Sequence, residues 1–580
     1  MKYKYLIIHL LIPLVFVFLS QYFSYISQPK HQILPQNAIM IPINYILWLC
    51  LYNLCFSLFY KTYKSIFLFL FIATTFTLVN YFKIKLLYQV FAITDLSQIK
   101  NLLLFLPDFV NQPKIIFIFF LIIIFLTALF FLLKKYCHNK NPITARLILF
   151  PISIFILTIP LVFTNQYDYF IREKELPRDN ANSIENSKLN GVLFHFFDNL
   201  KFLKKNTPEN YSSATIQNIF SNLPQDKITK KSDKPNIIVI LSEALFDVTK
   251  LPNINFGQDP IKNIRSDMKA TMISSQLNGG TANVEFEVIT GLSNYFYDYK
   301  IPYNQVVRQK LPSLFTQFKE QGYQTTVIHP YLRSMYNRTL VYNYFGLDKY
   351  ISLEDMKNYE KAGPYVSDKS FMDEVIKQYE STDQPQLIFG LTMQNHYPFE
   401  PNKFAEHKVN FTDKLPPYEH QVLQSYVDGI YLSDVSYKFL KETIQKSSKP
   451  TVVVYFGDHL PLLITKFNIY NLLGYFTKEP DFWDSKDFDK MYTTLISLYS
   501  NFSTNLEIKE KMSPNFLSLE ILKLANITPK HQFKFLESLS GTDTVLTKQF
   551  TPKFTPQQIK DYSLVQHDLV SGHQFLYTKN

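Results

Sequence analysis

Cysteine is nearly absent. The chain of 580 residues has three, at Cys50, Cys55 and Cys137, and none beyond. The long C-terminal part therefore uses no disulfide and offers no thiolate nucleophile or cysteine zinc cluster. A part of this size can be stable without such staples because it buries a sizeable core. Arginine-rich stripes and lysine blocks are missing too, so the formal charge of +11 is spread along the chain. That argues against nucleic acid as a partner and for attraction to anionic lipid head groups. The first apolar run lacks the small-residue site of a cleaved signal peptide, so it is expected to stay in the membrane. No internal repeat is evident.

What is abundant is Phe, Leu and Ile, concentrated in residues 1–164. Five apolar stretches, at about 5–25, 39–60, 63–82, 114–133 and 146–164, each come near the ~20 residues of a spanning helix. Lys2, Lys4, Lys61, Lys64, Lys134, Lys135, Lys140 and Arg146 fall on one side of such a bundle. The other side carries Lys30 and a sparser scatter of Lys83, Lys85, Lys100 and Lys114. The denser clusters put the N-terminus in the cytoplasm and everything after Thr164 outside it. The stretch 86–110, broken by Pro107, reads as an interfacial helix. A disulfide-free exported part in a Lys-rich, Arg-poor chain suits a Gram-positive-type envelope.

Residues 165–235 are polar and interrupted by prolines, and read as a linker; residues 541–580 read as a polar C-terminal tail. Between them, over 236–540, short apolar runs alternate with amphipathic windows. Asn236–Leu241, Thr325–Ile328, Leu387–Thr392 and Thr451–Phe456 have the length and β-branched or aromatic content of strands covered on both faces. Leu311–Gln321, Asp368–Tyr379 and Tyr426–Lys446 are the helix candidates. The alternation predicts an α/β domain with a mostly parallel central sheet. Ligands gather beyond the carboxyl ends of such strands. Glu243, His329, His396 and Asp458 each follow one of these runs, so one sheet edge collects them.

Asp458-His459 follows Val-Val-Val-Tyr-Phe-Gly. An Asp-His pair is often only a turn, but after a buried strand and a glycine it suits a divalent cation. Glu243, by itself, reads equally as a solvated strand-end cap. Thr281 follows Gly279-Gly280 and opens a helix over Ala282–Thr290. It reads as an N-cap, and equally as a hydroxyl facing phosphate oxygens at a helix N-terminus. Arg338 can hold phosphate bidentately or lie on the surface, and His396 precedes an aromatic-proline turn.

Leu-Ser-Glu243-Ala-Leu-Phe-Asp, Gly-Gly-Thr281-Ala-Asn-Val, His329-Pro-Tyr-Leu-Arg-Ser-Met-Tyr336-Asn-Arg338 and Gly-Asp458-His459 together resemble the lipoteichoic acid synthase and phosphoglycerol transferase family. This is a branch of the alkaline phosphatase/sulfatase superfamily. The resemblance implies a five-helix membrane domain and an extracytoplasmic sulfatase-like catalytic domain. It implies one divalent metal, Mn²⁺ before Mg²⁺ or Zn²⁺, held by Glu243, Thr281, Asp458 and His459, with Thr281 as nucleophile. His329, Tyr336, Arg338 and His396 would bind substrate; Tyr336 stands where lipoteichoic acid synthases typically have Trp. The implied donor is phosphatidylglycerol and the acceptor a wall polysaccharide sugar or a polyglycerolphosphate chain. The sulfatase nucleophile, a Cys or Ser in a Cys/Ser-x-Pro/Ala-x-Arg run, is missing. Phosphoethanolamine transferases share the Thr nucleophile but usually carry disulfides. A non-catalytic envelope scaffold or sensor is the remaining alternative.

Overall fold

The computed structural model describes residues 2–577 except 27–32, 88–89, 94, 97–112, 138, 174–182, 204–206, 225–233, 278, 298–300, 334, 462, 464–468 and 479–482. It divides into two units, Met1–Asn206 and Thr207–Asn580.

The first unit is helical: α1 (Lys2–Tyr25), α2 (Met40–Leu58), α3 (Thr62–Leu87), α4 (Pro113–Tyr136) and α5 (Ile143–Val162). Among the described residues, four helices are long and apolar enough to cross a membrane: Ile7–Tyr25, Met40–Leu58, Thr62–Lys85 and Ile143–Val162. The fourth expected run coincides with α4, part of whose side chains lies outside the described residues. The expected interfacial helix over 86–110 falls largely outside them as well. Trp48 packs among the rings of Phe16, Phe69 and Phe76 at the centre of the bundle. Buried polar groups must find hydrogen-bond partners. Gln21 of α1 and Asn44 of α2 do this for the helix break at Gly191. Asn44 donates to the Asn190 carbonyl over 2.7 Å and accepts from the Phe194 amide. Gln21 donates to Ser187 O and accepts from the Val192 amide. A Cβ on Gly191, whose φ is +95°, would meet the Asn44 amide at 2.5 Å. Ile184, Val192, Leu193, Phe194 and Leu200 consequently belong to the core of this unit.

The second unit is built on an eight-stranded sheet: β1 (Asn236–Ser242), β2 (Met268–Ile273), β3 (Gln324–His329), β4 (Lys349–Ser352), β5 (Gln386–Leu391), β6 (Thr451–Gly457), β7 (Thr493–Ser500) and β8 (Lys511–Met512). Their order is β8-β2-β7-β6-β1-β5-β3-β4. Only β7 runs against its neighbours; the other pairings are parallel. Every residue of β1 and β6 is buried. Ile237, Val239 and Leu241 face one core cluster and Ile238 and Ile240 the other, as expected of strands covered on both sides.

The helices that matter for the site are α6 (Thr281–Thr290), α7 (Arg338–Tyr344), α8 (Asp368–Glu380), α9 (Pro417–Gln445), α10 (Pro514–Leu524) and α11 (Pro556–Val570). α6 and α10 pack against each other on one face of the sheet, and α8 and α9 on the other. The stretch 541–580 contains α11, whose Tyr562, Val565 and Leu569 enter the first core cluster.

Candidate active site

β6, β1, β5 and β3 are consecutive neighbours in the sheet and parallel, so their carboxyl ends lie side by side. Asp458 and His459 leave β6, Glu243 leaves β1, and His329 is the last residue of β3. Thr281 arrives from the opposite direction at the start of α6. Gly280, at φ +88°, occupies the N-cap and makes no side-chain cap bond. Thr281 is thus the first helical residue rather than the cap, and its hydroxyl is free of capping duty.

That hydroxyl instead points at two carboxylates. Oγ1 lies 2.8 Å from Asp458 Oδ2 and 3.1 Å from Glu243 Oε2. One hydroxyl proton can serve only one of them at a time. Asp458 Oδ1 accepts the amides of Ala244 and His459, each over 2.9 Å. His459 Nδ1 lies 2.9 Å from the Leu460 carbonyl. A carbonyl can only accept, so Nδ1 carries a proton, and whenever the ring is neutral Nε2 presents a lone pair. Nε2 is buried without a hydrogen-bond partner, 3.2 Å from Asp458 Oδ2 and 3.7 Å from Glu243 Oε1. Glu243, Asp458 and His459 each bring a ligand atom within 4.8 Å of the others.

With the His459 ring neutral, the buried carboxylate oxygens and Nε2 and the half-buried Thr281 hydroxyl share a single proton, a crowding that a cation among them relieves, as does protonation of the imidazole. Two carboxylate oxygens, an imidazole nitrogen and a hydroxyl form a donor set that a divalent ion satisfies, and the imidazole favours Mn²⁺ or Zn²⁺ over Mg²⁺. The Nδ1–carbonyl bond that fixes the His459 ring is the usual support of a ligating histidine. Titration reflects the same crowding. Burial and the nearby Glu243 push the Asp458 carboxyl up to about 6, against the pull of His459. Burial disfavours the His459 cation, yet Asp458 and Glu243 outweigh it and raise the imidazole above its ordinary value.

A cavity of about 180 Å³ opens onto this cluster, with Thr281, His329, Tyr336, Arg338, His396 and His459 among its lining residues. All eight residues singled out from the sequence therefore lie in or around one site. His329 is buried, with Nδ1 3.3 Å from Leu391 O. Burial and the adjacent Arg338 hold its pKa well below the ordinary value. His396 is half-buried, with Nδ1 2.7 Å from the Tyr397 carbonyl and 3.4 Å from the Tyr365 hydroxyl. Tyr336 and Asn337 both have left-handed backbone, at φ 56° and 59°, a strained geometry for a tyrosine. This turn sets the Tyr336 ring beneath the Arg338 guanidinium, 5.2 Å from its centroid.

Arg338 is not a surface residue. It is 1% exposed, and its Nε and Nη2 both donate to Glu285 Oε2, over 3.1 and 3.0 Å. The hydroxyls of Tyr303 and Tyr342 donate to the other Glu285 oxygen. One edge of the guanidinium is therefore committed to Glu285, leaving Nη1 as the nitrogen not engaged by it. The sequence reading missed Glu285, although one helical turn on α6 separates it from Thr281. It also missed Lys403, whose ammonium lies beneath the loop after β5, and the cavity residues Tyr331, Met335, Met393 and Phe399. His407 and His420 pair with Asp428 and Asp413 away from this cavity.

A mostly parallel sheet carrying a hydroxyl, paired carboxylates and an imidazole at its carboxyl edge defines a protein of the alkaline phosphatase/sulfatase type. The chain belongs to the sulfatase family, whose pattern matches residues 235–527. It is 33% identical over 468 residues to a Rhizobium meliloti (strain 1021) protein named for cyclic β-1,2-glucan modification, covering 77% of this chain and 72% of that one. It is 29% identical over 154 residues to lipoteichoic acid synthase 1 of Bacillus subtilis (strain 168), covering 26% of this chain and 23% of the relative. A solved phosphoglycerol transferase of Streptococcus pyogenes, in complex with sn-glycerol-1-phosphate, shares the fold with a TM-score of 0.52. It is 22% identical, and the match covers 64% of this chain and 99% of that structure.

Proposed function

We propose that the chain is a membrane-anchored, metal-dependent phosphoglycerol transferase with its second unit outside the cytoplasm. The observation that carries this reading is Thr281 Oγ1 within hydrogen-bond distance of both Asp458 and Glu243, beside a buried His459 Nε2 that has no partner. Glu243, Asp458, His459 and Thr281 would hold the divalent ion, with Mn²⁺ preferred. When bound, such an ion offsets the carboxylate charge and lowers the pKa of the hydroxyl.

The chain's own groups would then act as follows. Thr281 Oγ1 attacks the phosphorus of phosphatidylglycerol, forming a threonine O–P bond while the bond to the diacylglycerol oxygen breaks. Glu243 and Asp458 stay deprotonated as cation ligands, so Oγ1 gives up its proton before attack to water in the cavity it lines, and it is released as the alkoxide again when the acceptor displaces it. His396, which lines the same cavity, gives a proton to the departing diacylglycerol oxygen. It takes one back from the acceptor hydroxyl that later displaces Thr281. Arg338, with Glu285 behind it, positions the phosphoryl oxygens; the neutral His329, whose Nδ1 faces the Leu391 carbonyl, accepts from a glycerol hydroxyl, and Tyr336 supports the glycerol. Among the described residues Glu243 is the one carboxylate lining the cavity. It belongs to the cation cluster, which favours a neutral polyol head group over the ammonium of phosphoethanolamine.

For the acceptor, a sugar hydroxyl on an envelope glycan is the preferred reading. It is supported by the glucan-modification relative and by a 28% identical capsular polysaccharide biosynthesis protein of Rhizobium meliloti (strain 1021), covering 40% of this chain and 42% of the relative. Growth of a polyglycerolphosphate chain is the second reading, supported by the lipoteichoic acid synthase relative. The full-length protein is incubated with fluorescent phosphatidylglycerol and Mn²⁺, and mass spectrometry is used to seek glycerophosphate on Thr281. Diacylglycerol release with that adduct supports the reading; release without any adduct at Thr281, or no release with any metal or acceptor, refutes it.

A further inference from the structure

The loop that follows β5 supplies Met393, His396, Tyr397 and Phe399 to the cavity wall. It is an irregular segment, and the His396 ring has little fixing it beyond the Tyr397 carbonyl and the Tyr365 hydroxyl. Beneath it runs Lys403, seven residues further on, whose Nζ donates to the His396 carbonyl over 2.5 Å. The same ammonium sits over three rings, with centroids 4.8 Å away for Phe399 and 5.6 Å for both Tyr365 and Phe404.

The base of this lysine is pinned as well. Its amide lies 3.1 Å from Glu400 O and 3.4 Å from Ser425 Oγ, and the Ser425 hydroxyl donates to Glu400 O over 2.7 Å. Ser425 belongs to α9, so a regular helix fixes the backbone from which the side chain reaches back. Two carboxylates act on the cation, Glu243 of the cluster and Asp368. Asp368 is wholly buried; Oδ2 accepts from Ser433, and Oδ1 has no hydrogen-bond partner. Burial lowers the ammonium to about 8, against these two carboxylates. An ordinary surface lysine has neither an aromatic enclosure nor a carbonyl of the site as its partner.

We propose that Lys403 is a positioning residue: its ammonium ties the His396 backbone to α9 and so holds the imidazole at the cavity. The proposal deepens the functional reading, since it rests on His396 as the group that moves protons at the leaving and attacking oxygens. Replacing the ammonium by a thioether of similar length removes the tie but keeps the packing among the rings.

The test compares Lys403→Met, Lys403→Arg, His396→Gln and the double variant Lys403→Met/His396→Gln in the full-length protein. Lys403→Met is expected to lower kcat roughly 10- to 100-fold with KM little changed, the size of a misplaced proton-transfer group. Lys403→Arg should recover part of the loss, and the double variant should be no slower than His396→Gln alone. Independent, multiplying losses in the double variant, or a loss confined to KM or thermal stability, would overturn the proposal. If wild type releases no diacylglycerol, the donor assignment fails. The same variants are then compared on Mn²⁺-dependent hydrolysis of bis(p-nitrophenyl) phosphate, which needs neither lipid nor glycan. Non-additivity there sustains the Lys403–His396 coupling, whereas additivity or absence of any hydrolysis sinks it.

Discussion

Thr281 and Asp458 are 177 positions apart in the chain and 2.8 Å apart at the edge of the sheet, the hydroxyl donating to the carboxylate. The contact brings a potential nucleophile onto a group that repels every acceptor near it except through a shared proton or a cation. Thr281→Ala should therefore fold normally and lower diacylglycerol release by about 10³-fold or more, as loss of an essential nucleophile does. Thr281→Ser should keep measurable turnover, because the oxygen remains. Initial rates together with melting temperatures separate this outcome from unfolding.

Cation binding should be visible without any substrate. Mn²⁺ at about 100 times its Kd adds about 2.7 kcal/mol to the stability of a folded chain that binds it. Thermal unfolding of the wild type should shift upward with Mn²⁺ and return with a chelator. Glu243→Gln and His459→Ala should lose that shift even if their own melting temperatures change little.

The same shift should depend on pH in a defined direction. Asp458 is held up at about 6 in the folded chain, above the ordinary carboxylate value, so the metal-free fold binds this proton more tightly than the unfolded chain. Its stabilising contribution is present in acid and declines as pH rises through about 6. Cation binding needs the deprotonated carboxylate and a neutral His459, so the stabilisation from Mn²⁺ runs the other way and grows with rising pH. Melting curves with and without Mn²⁺ at about pH 5 and about pH 7.5 should show a small shift at the first and a large one at the second.

Glu285 and Arg338 form a buried pair, 0% and 2% exposed at their side chains. Removing either charge strands the other, which costs about 3–5 kcal/mol in such surroundings. Urea unfolding should show Glu285→Gln and Arg338→Met each destabilised by that order. The double variant should be less destabilised than the two losses combined.

Gly280 holds the turn into α6 at φ +88°, and an added Cβ would lie 2.6 Å from Gln276 Oε1. The Gln276 side chain can move aside, but the backbone angle remains unfavourable for alanine. Gly280→Ala should cost about 1–2 kcal/mol by melting temperature. Turnover should fall further than stability alone explains, because Thr281 is the next residue.

Local pattern alone made much of the fold readable. Apolar runs long enough for spanning helices stand out in any window, and β1 and β6, buried on both faces, carry the unbroken runs Ile237–Leu241 and Val452–Phe456. Those strands marked Glu243 and Asp458 as edge residues before any contact was known. β2 and β7 were not legible, since Met268–Ile273 mixes exposed and buried positions and Thr493–Ser500 runs antiparallel with a register shift against β2. Residues 183–203 read as polar linker because their burial depends on Gln21 and Asn44, far earlier in the chain.

The chain by itself determined which side chains could do chemistry and that several would end on one sheet edge, because strand ends and glycine turns are local features. Only the tertiary structure decided that Thr281 caps nothing and meets two carboxylates, that Arg338 is braced by Glu285, and that Lys403 lies under His396. Charged residues such as Glu285 and Lys403 look in sequence like any solvated glutamate or lysine. Their burial is a consequence of long-range packing, which no local pattern records.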